Sequence, residues 1–70
     1  MRVQAVKNIT EADLLGDNSH RVSSLVRIGQ GDTGRLEFNP RGTEEMPMSF
    51  YGDNDNGNFW NVKSSWFVKV

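Results

Sequence analysis

Apolar positions in this chain recur at every second residue in short runs, and clusters of turn-forming residues separate the runs. Arg2–Asn8 sets Val3 and Ala5 on one side and Gln4 and Val6 on the other. Such alternation marks a half-buried strand, because successive side chains leave a strand on opposite faces. Val22–Ile28 repeats it, with Val22, Ser24, Val26 and Ile28 on one face and Arg21, Ser23, Leu25 and Arg27 on the other. Arg35–Asn39 directs Leu36 and Phe38 inward and Arg35 and Glu37 outward. Met48–Tyr51, Asn58–Val62 and Trp66–Val70 complete the set, with Trp60 and Val62 on one face and Phe59 and Asn61 on the other.

The breaks carry their own chemistry. Gly29–Gly34 holds three glycines, Asn39-Pro40-Arg41-Gly42 removes an amide donor and frees the backbone, and Asn56-Gly57 is a strong short hairpin signal. One segment departs from the two-residue period. Thr10 can cap a helix over Thr10–Leu15, Glu11 and Asp13 suit its positive end, and Gly16 can stop it. Such a segment is too short to stand alone and is expected as one helical turn. The pattern predicts an all-β domain spanning residues 1–70, a small barrel of five or six short strands with one short helical turn.

Composition narrows the function. In 70 residues the core supplies only about 3–5 kcal/mol of net stability. There is no cysteine, so disulfides and thiolate zinc sites are excluded, which fits a reducing cytoplasm. No run approaches the ~20 apolar residues of a membrane span, and the start lacks the apolar core of a signal peptide. The sequence therefore predicts a cytoplasmic protein without membrane contact. A formal net charge of −1 argues against a dedicated polyphosphate binder. Arg21, Arg27, Arg35 and Arg41 precede Glu44, Glu45, Asp53 and Asp55, a division that predicts surfaces of opposite sign.

Four constellations invite catalytic or metal readings, and each fails on its context. Asp53-Asn54-Asp55-Asn56-Gly57 has oxygen ligands, but an EF-hand register from Asp53 puts Gly57 at position five and Ser64 at position twelve. His20 has no ligand spacing, and its neighbours Asp17 and Ser19 lie along a loop instead of in a triad geometry. Gly29-Gln30-Gly31-Asp32-Thr33-Gly34 spells a nucleotide-loop string, yet a strand follows it where phosphate binding needs a helix. Glu44 and Glu45 are loop neighbours with no frame to hold them across a cleft. The expectation is a non-enzyme with no catalytic residue, metal or cofactor.

Ser65-Trp66-Phe67-Val68-Lys69-Val70, entered through a polar turn after an aromatic strand, resembles the end of Src-homology-3-like barrels. There a 3₁₀ turn leads into the closing strand, Phe67 matches the Tyr of the Ser-Asn-Tyr-Val pattern, and Val68 matches its core Val. The resemblance implies the barrel and a binding role, as in small bacterial and phage proteins of this architecture. The acidic-aromatic first-strand motif of peptide-binding members is absent, and Ser64 stands where they carry a groove proline, so proline-rich specificity is not carried over. Asp32-Thr33-Gly34-Arg35-Leu36 also resembles, more weakly, barrels that bind RNA or ribosomal and polymerase surfaces.

The expected function is non-catalytic protein binding by an accessory protein, with a phage product that modulates a host protein as one form. Alternation assigns Phe38, Phe50, Trp60 and Trp66 to the core and turns Tyr51, Phe59 and Phe67 outward as a contact patch, with Trp66 at its margin. Two other uses of these aromatics stand beside it, a second small core under Thr10–Leu15 and a homodimer contact. The alternatives in function are nucleic-acid binding through Arg21, Arg27, Arg35 and Arg41 with stacking aromatics, and a structural subunit that assembles through strand edges.

Overall fold

The computed structural model describes residues 1–15, 24–53 and 57–70, without the side chain of Trp60. Seven strands lie among them: β1 (Arg2–Ala5), β2 (Ile9–Thr10), β3 (Val26–Ile28), β4 (Thr33–Phe38), β5 (Met48–Gly52), β6 (Asn58–Val62) and β7 (Phe67–Lys69). A short helix α1 (Glu11–Leu15) follows β2, and a 3₁₀ turn (Ser64–Trp66) leads directly into β7. The all-β class is as the alternation predicts, and α1 falls where the capping residues predict a helical turn.

All strand pairs are antiparallel, and five strands form one sheet in the order β6-β5-β4-β1-β7. β2 and β3 form a separate ribbon. The two outer strands of the large sheet, β6 and β7, do not pair with each other, so the sheet is not closed into a barrel. Val3, Ala5, Leu36, Phe50, Val62 and Phe67 from the sheet form one core with Ile9 and Ile28 from the ribbon. Burying each large side chain of this kind stabilises the fold by about 1.5–3 kcal/mol.

The turns follow from local chemistry. Thr10 and Asp13 cap α1 reciprocally: the Thr10 amide donates to Asp13 Oδ2 (3.0 Å) and the Asp13 amide to Thr10 Oγ1 (3.3 Å). In the glycine string, the Gly29 amide donates to Asp32 Oδ2 (2.8 Å), the Gln30 amide to Asn8 Oδ1 (2.7 Å) and the Gly31 amide to the Ala5 carbonyl (2.9 Å). These amides are committed to the fold, and Gly31 takes the left-handed φ of 93° that the turn requires. Between β4 and β5, Asn39 is buried and organises the loop, accepting from the Arg41 amide (3.0 Å) and donating from Nδ2 to Asn61 Oδ1 (3.1 Å).

Several face assignments are corrected. Phe67 is opposite Ala5 in the β1–β7 register, so it shares the inward face and is only 7 % exposed. Val68, opposite Gln4, is 48 % exposed and does not take the core place expected of it. Phe59 is opposite Phe50 and packs, partly buried, against the core. A bulge explains why Phe59 and Val62 can both face inward: Met48 is opposite Val62 while Ser49 is opposite Trp60, and the extra residue Asn61 has φ 65°. Phe38 has the parity of Leu36 but stands beyond the end of the β1 pairing, where the Leu36 amide donates to the Met1 carbonyl, and is 70 % exposed. Val26 is likewise exposed, and the strand expected over Val22–Ile28 is observed as Val26–Ile28. The expectations for Gly16, Asp17, Ser19, His20, Arg21, Val22, Ser23 and Asn54–Asn56 fall outside the described residues, as does the core place expected of Trp60.

Candidate functional site

A surface cleft of about 340 Å³ opens where three elements meet. One wall is α1 with the end of the β1–β2 connection, giving Lys7, Ala12 and Asp13. The β4–β5 loop brings Glu45 and Met46, and the entry to the 3₁₀ turn brings Lys63 and Trp66. The volume lies at the small end of ligand pockets and suits a few side chains better than a large cofactor.

Backbone bonds fix these walls. The Val6 amide donates to the Trp66 carbonyl (2.9 Å) and the Trp66 amide to the Lys63 carbonyl (3.2 Å), which ties the 3₁₀ turn to the chain leaving β1. The Met46 amide donates to Thr43 Oγ1 (3.0 Å), folding the loop tip toward the cleft. Trp66 and Met46 are buried core residues that reach the cleft with little of their surface, and its lining is mostly polar.

The four charges are unequal. Lys7 Nζ lies 3.3 Å from Asp13 Oδ2 and 5.7 Å from the centroid of the Trp66 ring. Asp13 also accepts from the amide and hydroxyl of Thr10. The Thr10 amide, helped by Lys7, holds its carboxyl below the usual carboxylate range against the opposing effect of burial. Lys63 and Glu45 enter no ion pair among the described residues.

The proposed contact aromatics do not converge. Phe67 stacks on Phe50 with ring centroids 4.8 Å apart, so it belongs to the core. Trp66 is buried in the core and lines the cleft. Phe59 is half-buried beneath the Arg27 guanidinium, 5.6 Å from its centroid. Tyr51 faces away from Phe50, as expected, but Arg35 lies 5.1 Å over its ring.

The arginines are similarly engaged. Arg27 pairs with Glu11 (3.6 Å) and Arg35 with Glu37, each while covering an aromatic ring. Arg41 lies exposed in the β4–β5 loop, and Arg21 is outside the described residues. Asp53, the first oxygen ligand of the rejected calcium register, is held by Arg2 in a two-pronged bond (2.8 and 2.7 Å) and accepts from the Thr33 hydroxyl (2.8 Å). These bonds, the one from Arg2 foremost, hold its carboxyl down at about 2.

In the sequence Lys63 reads only as a strand break, and Glu45 and Met46 fall in a polar loop. The local signal was Lys63-Ser64-Ser65-Trp66, a polar step into a tryptophan at a turn, but the opposing walls come from distant segments. No family model, curated protein or solved structure matches this chain. Among the described residues no helix is long and apolar enough to cross a membrane.

Proposed function

We propose that this chain is a non-catalytic protein-binding module of Src-homology-3-like architecture, and that the cleft beside α1 and the 3₁₀ turn is its contact site. The strand order, in which the first strand lies between β4 and the last strand, supports the architecture together with the 3₁₀ turn that enters β7. The observation that carries the function is the cleft itself, in which Trp66 lines the same surface as Lys63 and Glu45, two charges that enter no ion pair among the described residues. An aromatic side chain set among charged groups matches the composition of binding hot spots, in which the surrounding charges set discrimination.

The test is capture from a bacterial lysate on the immobilised chain, run beside a Lys63→Ala, Glu45→Ala double variant. A protein retained by the parent chain and released by the variant is the expected result. Equal retention on both would move the contact site away from the cleft, and a nucleic acid in place of a protein would overturn the reading.

A further inference from the structure

The large sheet ends on β7, which among the described residues pairs only with β1. Backbone groups alternate along such a strand, so one set faces its neighbour and the other faces away. The Val6 amide donates to the Trp66 carbonyl and the Val70 amide to the Arg2 carbonyl, which turns the groups of Trp66, Val68 and Val70 toward β1. Those of Phe67 and Lys69 therefore point out of the sheet. The Phe67 amide donates to the Ser64 carbonyl, where the 3₁₀ turn ends. What the edge still offers is the Phe67 carbonyl, the Lys69 amide and the Lys69 carbonyl. Val68 and Val70, both β-branched, stand exposed beside it on the outer face of the sheet. Open edges are usually guarded by charge, proline or a bulge. Lys69 is the one charge on β7, and it enters no ion pair among the described residues.

We propose that this edge pairs with the same edge of a second copy of the chain, β7 antiparallel to β7, about a two-fold axis through Val68. In that register Phe67 of each copy is opposite Lys69 of the other. The Lys69 amide of one copy then donates to the Phe67 carbonyl of its mate, so each free donor meets a free acceptor. The two Val68 side chains stand opposite each other on the outer face, in the non-hydrogen-bonded position where cross-strand side chains approach most closely. A register centred on Lys69 would oppose two lysines and is disfavoured. The edge is thus complementary to itself in hydrogen bonding and in side chains, which favours a second copy over an unrelated strand. A formal net charge of −1 leaves little repulsion between copies. Pairing joins the two five-stranded sheets into one, and it does not depend on the reading of the cleft.

The test is sedimentation velocity of the full chain from about 10 μM to about 1 mM, a range that spans the weak association expected of a short edge. The expected result is a shift from monomer to dimer with rising concentration. In a sample mixed from labelled and unlabelled chains, an isotope-filtered NOE spectrum should connect Val68 Hα of one copy with Val68 Hα of the other. Val68→Lys sets like charges at the centre of the contact and should weaken the dimer about tenfold. Its side chain lies outside the core, so the variant should keep the parent amide dispersion. Lys69→Pro removes the outward donor, which the chain itself does not use, and should weaken the dimer by a similar factor.

A strict monomer at about 1 mM overturns the proposal. A dimer that Val68→Lys leaves intact puts the contact on another face and overturns it too. If Lys69→Pro loses its amide dispersion, Val68→Lys and the Val68 NOE decide by themselves. A dimer whose intermolecular NOEs join Lys69 to Lys69, or leave β7 out, overturns the pairing.

Discussion

Phe67 lies stacked on Phe50, with ring centroids 4.8 Å apart and planes 20° from parallel. Phe50 is fully buried in β5 and Phe67 begins β7, so this contact crosses from one side of the sheet to its far edge strand. Truncating Phe67 to Ala leaves a cavity beside Phe50 and removes the anchor of β7. Phe→Ala changes in cores cost about 3–5 kcal/mol, which is as large as the whole net stability expected of so small a domain. Phe67→Ala is therefore expected to abolish the cooperative urea transition at room temperature. A variant that stays folded with ordinary amide dispersion would show that the ring does not hold β7 in place.

Asn61 shows why face assignment failed where element assignment succeeded. The strands were legible because turn residues and two-residue alternation are local properties, as in Val3–Ala5 and in the Gly29–Gly34 turn. The faces of β6 and β7 depend on register, which is set across strands. The bulge at Asn61 inserts one residue and reverses the parity between Phe59 and Val62. β7 is three residues long, and only its pairing with Ala5 reveals that Phe67 and not Val68 faces inward. The cleft was illegible for a related reason: Lys7, Glu45 and Lys63 are far apart in sequence and meet only through the β1–β7 and β4–β5 connections. The charge pairs that retire Arg27, Arg35 and Asp53 as free groups arise in the same way.

The bulge makes its own prediction. At φ 65° a β-branched side chain is strained, whereas Asn tolerates the left-handed region and Gly adopts it freely. Asn61 also accepts from the buried Asn39 amide at 3.1 Å. Asn61→Val should lose both the backbone fit and this acceptor and destabilise the fold by about 1–3 kcal/mol. Asn61→Gly loses only the acceptor and should lie between Val and the parent. Urea midpoints measure the order, and a Val variant as stable as the Gly variant would contradict the bulge.

Gly34 sits on β4 against the backbone and ring of β5. A Cβ built there would stand 2.4 Å from the Tyr51 carbonyl oxygen and 2.7 Å from the Phe50 ring. Backbone and a fully buried ring cannot yield cheaply, so Gly34→Ala must separate the strands or displace Phe50. Overpacking of this kind costs about 1–3 kcal/mol. The expected result is a lowered urea midpoint with shifted Phe50 ring resonances. Gly31→Ala is the contrast, since nothing lies within 4 Å of a Cβ there and the cost comes from its φ of 93° alone. Unperturbed Phe50 signals in Gly34→Ala would refute the close approach.

Asp53 links pH to stability through a surface network. Its carboxyl is lowered from an unfolded value near 3.8 to about 2 by Arg2 and the Thr33 hydroxyl. A folded value below the unfolded one means that the folded state favours the charged form. The stabilisation is therefore fully present above pH 3.8 and is lost as pH falls through about 2. Asp53→Asn removes the ionisation, and its partners remain exposed enough for solvent to reach, so the change should be modest at neutral pH. The difference in urea midpoint between parent and Asp53→Asn is expected to be constant from neutral pH to about pH 4 and to shrink steadily below it. Carbon-detected titration of the Asp53 carboxyl should give its midpoint near 2. A midpoint in the ordinary range, or a parent–variant difference that does not change with acid, would show that Arg2 does not hold Asp53 in solution.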